Sequence, residues 1–119
     1  MTFRPPLLPI RAAFFAALGF ALFMALVPHP PGAVEVNDKV QHSLAFGTLA
    51  VLAAAGWPRT PLGRIGERLS FVGALIEVFQ SIPALHRDCD VMDWITDTAA
   101  VAVVLAVAAA VRSSHRRSA

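Results

Sequence analysis

Apolar positions along the chain fall into four long blocks, separated by short segments rich in proline, glycine and charge. The first block, Ala12 to Val27, runs sixteen residues without a polar side chain between Arg11 and Pro28. It predicts a helix over about 10–28, with Ile10 and a snorkelling Arg11 extending it towards the ~20 residues a bilayer span requires. The second block, Asp38 to Trp57, confines its charges to the first turns and predicts a helix over 38–57. The third, about Gly66 to Ile82, is the most polar and carries Glu67, Arg68, Glu77 and Gln80, predicting a helix over 66–82. The fourth predicts a helix over 92–111, and its stretch from Ala99 to Val111 is wholly apolar. Pro28, Pro30, Pro31 and Gly32 stop the first helix, Pro58, Pro61 and Gly63 the second, and Pro83 the third. Asn37 or Asp38 can cap helix two and Asp88 or Asp90 helix four, because a short polar oxygen accepts the free N–H groups of a first turn. The expected fold is an all-α integral membrane protein, a four-helix transmembrane bundle forming one domain over residues 1–119.

Composition supports a lipid setting. Hydrophobic residues make up 56% and charged residues 15%, against roughly 45–50% and about 25% in soluble domains. A soluble domain of 119 residues cannot hide such an excess. The first block also resembles a signal peptide, but no clear small-x-small cleavage site follows it before Pro28, and a retained helix is the preferred reading. Cys89 is the single cysteine, so no internal disulfide forms, and with no tyrosine an aromatic belt must come from Trp57, Trp94 and phenylalanines. The tail from Arg112 to Ala119 reads as disordered.

The basic residues set an orientation. Arg4 and Arg11 precede helix one, Arg59, Arg64 and Arg68 lie between helices two and three, and Arg112, Arg116 and Arg117 follow helix four. Eight of the ten therefore lie on one side, leaving Lys39 and Arg87 on the other. The positive-inside rule then predicts both termini in the cytoplasm of a multi-pass membrane protein, with basic loops near anionic headgroups. These arginines flank spans without a recognition motif, so a nucleic-acid partner is not expected.

The acids take the opposite side. Of eight, only Glu67 falls on the cytoplasmic side; Glu35, Asp38, Glu77, Asp88, Asp90, Asp93 and Asp97 fall at or near the outer side. Asp38 and His42, four apart, share a face of helix two with Phe46 one turn on; Glu77 and Gln80 share a face of helix three; Asp93 and Asp97 share one of helix four. All arrive at a similar depth, which predicts one shared cluster in the outer leaflet. Glu77 and Asp97 lie deepest and must be neutralised, by a proton or by Lys39, His42 or Arg87. Such a cluster either holds the helices in register through interhelical hydrogen bonds or forms a site. His42 with the acids could take a divalent cation through oxygen ligands, although no ligand spacing is diagnostic. No phosphate loop, nucleophile elbow or His-Glu-x-x-His is present. Gly47 and Gly73 read as close-packing positions, and His29, His86 and His115 as solvated loop or tail residues.

Two motifs match a known pattern. Asp38-Lys39-x-x-His42-x-x-x-Phe46 resembles the second-helix signature of VanZ-like membrane proteins. Gly73-x-x-x-Glu77-x-x-Gln80, followed by Arg87-x-x-Asp90-x-x-Asp93-x-x-x-Asp97, resembles that family's second signature. Together they cover Asp38 to Ala100, about half the chain. Asp97 stands where the family usually carries Asn, and Ala100 where it usually carries Gly. The resemblance implies a bacterial inner-membrane protein acting on or near cell-envelope lipid-linked material, in a family named for glycopeptide (teicoplanin) tolerance. The expected ligand-binding residues are Asp38, Lys39, His42, Glu77, Gln80, Arg87, Asp90, Asp93 and Asp97, with Arg87 suited to a phosphate or carboxylate. Membrane lipids and an envelope lipid-linked or glycopeptide ligand are the expected partners; no organic cofactor is called for. An intramembrane enzyme with His42 or Glu77 as general base and Arg87 as stabiliser, and an accessory subunit with the cluster as helix glue, are the competing classes.

Overall fold

The computed structural model of the chain describes residues 6–26, 38–82 and 91–118, of which 38, 39 and 115–118 are described by their backbone alone. Among the described residues there are four helices and no strand: α1 Leu7–Leu26, α2 Asp38–Gly56, α3 Leu62–Gln80 and α4 Val91–Ser118. At 1.5 Å per residue the first three are each roughly 30 Å long and α4 roughly 42 Å. By length and hydropathy α1 as a whole and α4 from Val91 to Ser114 are long and apolar enough to cross a bilayer, whereas α2 carries a shorter apolar stretch, Val40–Gly56.

Residue pairs fix the directions. Arg11, at the start of α1, meets Gly56 at the end of α2. Ala25 and Gln80 join the ends of α1 and α3. Arg112, late in α4, meets Ala54 and Trp57 at the end of α2. Thus α1 and α3 run one way and α2 and α4 the other. The α2–α4 contact is the most extensive, α3 packs on α4 next, and α2 and α3 touch little. The core joins Phe46, Leu49, Ala50 and Ala53 of α2 to Ile65, Leu69 and Ile76 of α3 and Val101 of α4. Small residues let the axes approach: a Cβ on Gly66 would stand 3.0 Å from Leu105 Cδ1.

The outer surface inverts the soluble pattern. Phe20, Leu44, Phe71 and Val103 are each more than 60% exposed, while the buried polar side chains among the described residues are His42, Glu77, Gln80, Asp93 and Asp97. Exposed Thr48 and Thr96 turn their hydroxyls back onto the carbonyls of Leu44 and Met92 one turn earlier, so they present little free polarity.

Helix ends differ from expectation in ways the backbone explains. Helix α1 begins at Leu7 rather than 10, because Pro9 lies in the first turn, where its missing N–H costs no helical bond. Helix α3 begins at Leu62 rather than 66: Pro61, with φ −57° and ψ 136°, is its N-cap, and Gly63, read as a stop for helix two, lies inside α3. It ends at Gln80 rather than 82, with Ser81 closing the turn through its backbone N–H and its hydroxyl. Helix α4 runs to Ser118, which overturns the reading of 112–119 as a disordered tail. No glycine or proline follows Val111 to stop it, and Arg112 anchors the extension. The first and third loops, with Pro28–Gly32, Asn37, Pro83, His86, Asp88 and Cys89, lie outside the described residues, as do the side chains of His115, Arg116 and Arg117.

At one end of the bundle two arginines grip the C-terminus of α2, where a helix leaves four carbonyls without intrahelical partners. Arg11 Nε donates to the Gly56 carbonyl at 2.7 Å and its guanidinium lies 5.3 Å from the Trp57 ring centroid. Arg112 donates to the carbonyls of Thr60 at 2.8 Å, Ala54 at 3.0 Å and Trp57 at 3.3 Å. Phe14 and Phe15 stand edge-on to Trp57 beside this clamp. Hydrogen bonds from a charged donor contribute roughly 1.5–3 kcal/mol, less where partly solvated. Arg112→Ala is expected to destabilise the bundle by about 2 kcal/mol, and Arg112→Lys to recover less than half because it lacks the fork. Thermal or denaturant unfolding of purified protein measures both.

Candidate functional site

The opposite end holds the polar residues. Helix α2 brings His42 inward one turn before Phe46, and both are nearly buried, at 9% and 3% exposure. From α3 come Glu77 and Gln80, on the stripe that also carries Gly73 and Ile76. From α4 come Asp93 and Asp97, separated by one turn, and Asp97 is 1% exposed. His42 Nδ1 and Asp97 Oδ2 stand 3.3 Å apart, a long hydrogen bond. A ring nitrogen of His42 and carboxylate oxygens of Glu77 and Asp93 lie within 4.8 Å of one another. Three carboxylates, Asp97, Asp93 and Glu77, act electrostatically on this one imidazole.

Gly73 is the reason the helices can close on this point. A Cβ there would meet Trp94 Cδ1 at 3.4 Å, Phe46 Cζ at 3.6 Å and Asp97 Oδ2 at 3.6 Å. An alanine fits in ordinary contact, and anything larger displaces Trp94 or the His42–Asp97 pair. Below the cluster, Trp94 Nε1 donates to the Ser70 carbonyl at 3.0 Å, and the hydroxyls of Ser70 and Thr98 are 3.0 Å apart. These bonds fix α4 against α3 and hold Asp97 at its depth. Ser70 and Thr98 were missed in the sequence, although Ser70 lies two turns before Glu77 and Thr98 directly follows Asp97, and Trp94 was read only as an aromatic-belt residue.

The structure thus gathers His42, Glu77, Asp93 and Asp97. Gln80 is buried at 2% exposure but turns to α1, donating from Nε2 to the Ala25 carbonyl at 2.8 Å. Arg87 and Asp90 lie outside the described residues, and Asp38 and Lys39 are described only as the first turn of α2. Beside the cluster, a groove of about 490 Å³ lies between α1 and α2. Ala17, Ala21 and Ala25 of α1 and Phe46 and Ile76 line it, and His42 forms part of its wall. An apolar slot with one titratable side chain in its wall accommodates an amphiphile: a hydrocarbon along the alanines and a polar group at the imidazole.

Comparison with protein-family models, with curated proteins and with solved structures finds no match to this chain.

A double-mutant cycle tests the central pair. His42→Ala leaves Asp97 buried without its imidazole partner and is expected to cost about 3–5 kcal/mol, the usual penalty for breaking a buried pair. The double variant H42A/D97A should cost less than the two single losses summed, with a coupling of about 1–3 kcal/mol. Additivity in unfolding experiments would show that the two side chains do not support each other.

Proposed function

We propose that the chain is a multi-pass protein of a bacterial inner membrane, VanZ-like, with four spanning helices, both termini cytoplasmic, and a polar site in the outer leaflet that binds a cell-envelope ligand. The observation that carries this reading is the inversion of polarity: an apolar exterior surrounds His42, Glu77, Asp93 and Asp97, the last 1% exposed. In hydrocarbon, ionisable groups face the bundle interior and mark sites and pathways. The arginine clamp supports the orientation, since Arg11 and Arg112 lie together at the end opposite the acids, beside an aromatic group of Phe14, Phe15 and Trp57 suited to a headgroup boundary. The groove beside His42 favours a lipid-linked ligand, with its chain between α1 and α2 and its polar group at the imidazole; Asp38, Lys39, Arg87 and Asp90 belong to the same sequence motif. Glycopeptide (teicoplanin) tolerance is the phenotype this reading ties to the site.

A second reading is an enzyme acting on lipid-linked envelope material. The observation favouring it is the His42–Asp97 pair, the arrangement in which a carboxylate orients an imidazole for general-base work. Turnover of a lipid-linked substrate by purified protein, lost in His42→Gln, distinguishes catalysis from binding alone.

Topology is checked in intact cells carrying a Cys89→Ser background and single cysteines replacing Val36, Leu62, His86 or His115. V36C and H86C are expected to react with a membrane-impermeant thiol reagent, and L62C and H115C only after permeabilisation. The site itself is checked by His42→Ala, Glu77→Ala and Arg87→Ala, scored for teicoplanin susceptibility against the protein level in the membrane. Variants that accumulate normally yet behave as wild type in the envelope assay would exclude a binding role for the cluster.

A further inference from the structure

We propose that His42, Glu77 and Asp93 bind one divalent transition-metal ion, with Asp97 as the positioning residue that holds the imidazole. The three ligands come from three helices, and their donor atoms all lie within 4.8 Å of one another. Ligands about 2.1 Å from an ion stand about 3.4 Å apart in a tetrahedral site. Each donor therefore moves inward by about 1 Å to complete the site, within reach of side-chain adjustment on three packed helices.

Four features point to a metal. The donor set is mixed: one imidazole with two carboxylates suits zinc, manganese, iron or cobalt, whereas calcium and magnesium prefer oxygen alone. The trio adds no charge of its own, because its two carboxylates match a divalent ion, in a region where added charge is costly. The histidine is held by a carboxylate: in the tautomer whose Nδ1–H donates to Asp97 Oδ2, the other ring nitrogen keeps its lone pair, the carboxylate–histidine arrangement that accompanies metal-bound imidazoles. Finally, Asp97 Oδ1 is buried without a hydrogen-bond partner among the described residues, as an acceptor beside the trio. Three protein ligands leave coordination positions open, which is the pattern of sites that take a further ligand and not of closed structural ones. A phosphate or carboxylate oxygen arriving through the groove would fill them. The metal inference itself rests on the trio and holds whatever ligand the groove receives.

Cobalt(II) is the probe, added to full-length protein in lipid nanodiscs stripped with chelator. The expected result is a visible absorption band distinct from aqueous Co2+, saturating at one ion per chain and displaced by Zn2+. His42→Gln, Glu77→Gln and Asp93→Asn should each weaken binding by more than about tenfold, and Asp97→Asn by about 10–100-fold through loss of orientation. Glu67→Gln, exposed near the start of α3, should bind as wild type. Circular dichroism and gel filtration confirm that each variant is folded. A wild-type spectrum identical to aqueous Co2+ overturns the proposal and assigns neutralisation of the acids to the chain's own cations. So does a folded His42→Gln that binds as tightly as wild type. Neither result bears on topology or on teicoplanin susceptibility, so the two proposals fail separately.

Discussion

A carboxylate sealed away from water must be compensated on the spot, and this constraint governs one whole end of the molecule. Asp97, on the helix that touches both α2 and α3, is the most deeply buried ionisable group among the described residues. Its bond to His42 ties α4 to α2, and the Trp94–Ser70 and Thr98–Ser70 contacts around it tie α4 to α3. Gly73 supplies the space, since Asp97 Oδ2 sits within van der Waals reach of where its side chain would be. None of these features is stable alone. The imidazole needs the acid, the acid needs the close approach of α3, and that approach needs a residue without a side chain.

The other end is governed by the converse problem, carbonyls that the helix itself cannot satisfy. Arg11 and Arg112 solve it from two different helices, and their guanidinium groups converge on the short stretch from Ala54 to Thr60. The molecule therefore has two polar poles joined by an apolar middle of Leu49, Ala50, Ala53 and Leu69. On the membrane reading, the middle gains little from the hydrophobic effect, because lipid tails are as apolar as the core; packing and the two poles hold the bundle together.

Much of the site was legible because helical periodicity is strict. The four-residue steps from Asp93 to Asp97 and from His42 to Phe46, and the three-residue step from Glu77 to Gln80, put those side chains on inward faces, and all six are buried. The sequence could not show that Gln80 turns to α1, because an amide's partner depends on which helix end lies nearby in space. Helix ends were the weakest part. Pro61 was read only as a stop for helix two, yet it also opens α3, and the charged stretch after Val111 continues as helix because its first arginine has a partner on α2. Arg11 and Arg112 were counted as charges setting orientation, and their role as caps follows only from antiparallel neighbours that no local pattern reveals.

The side-chain bonds that lock the bundle join residues far apart along the chain: Arg11 to Gly56, Ala25 to Gln80, His42 to Asp97, Ala54 to Arg112. The helices themselves are local and form quickly, but such distant contacts must wait for large loops to close. Helices α2 and α3, neighbours in sequence, share little surface and meet mainly through α4. A hairpin of α2 and α3 is therefore a poor folding intermediate. The order in which the helices lock together departs from the order in which they are written: α3 finds its place only when α4 arrives to receive it.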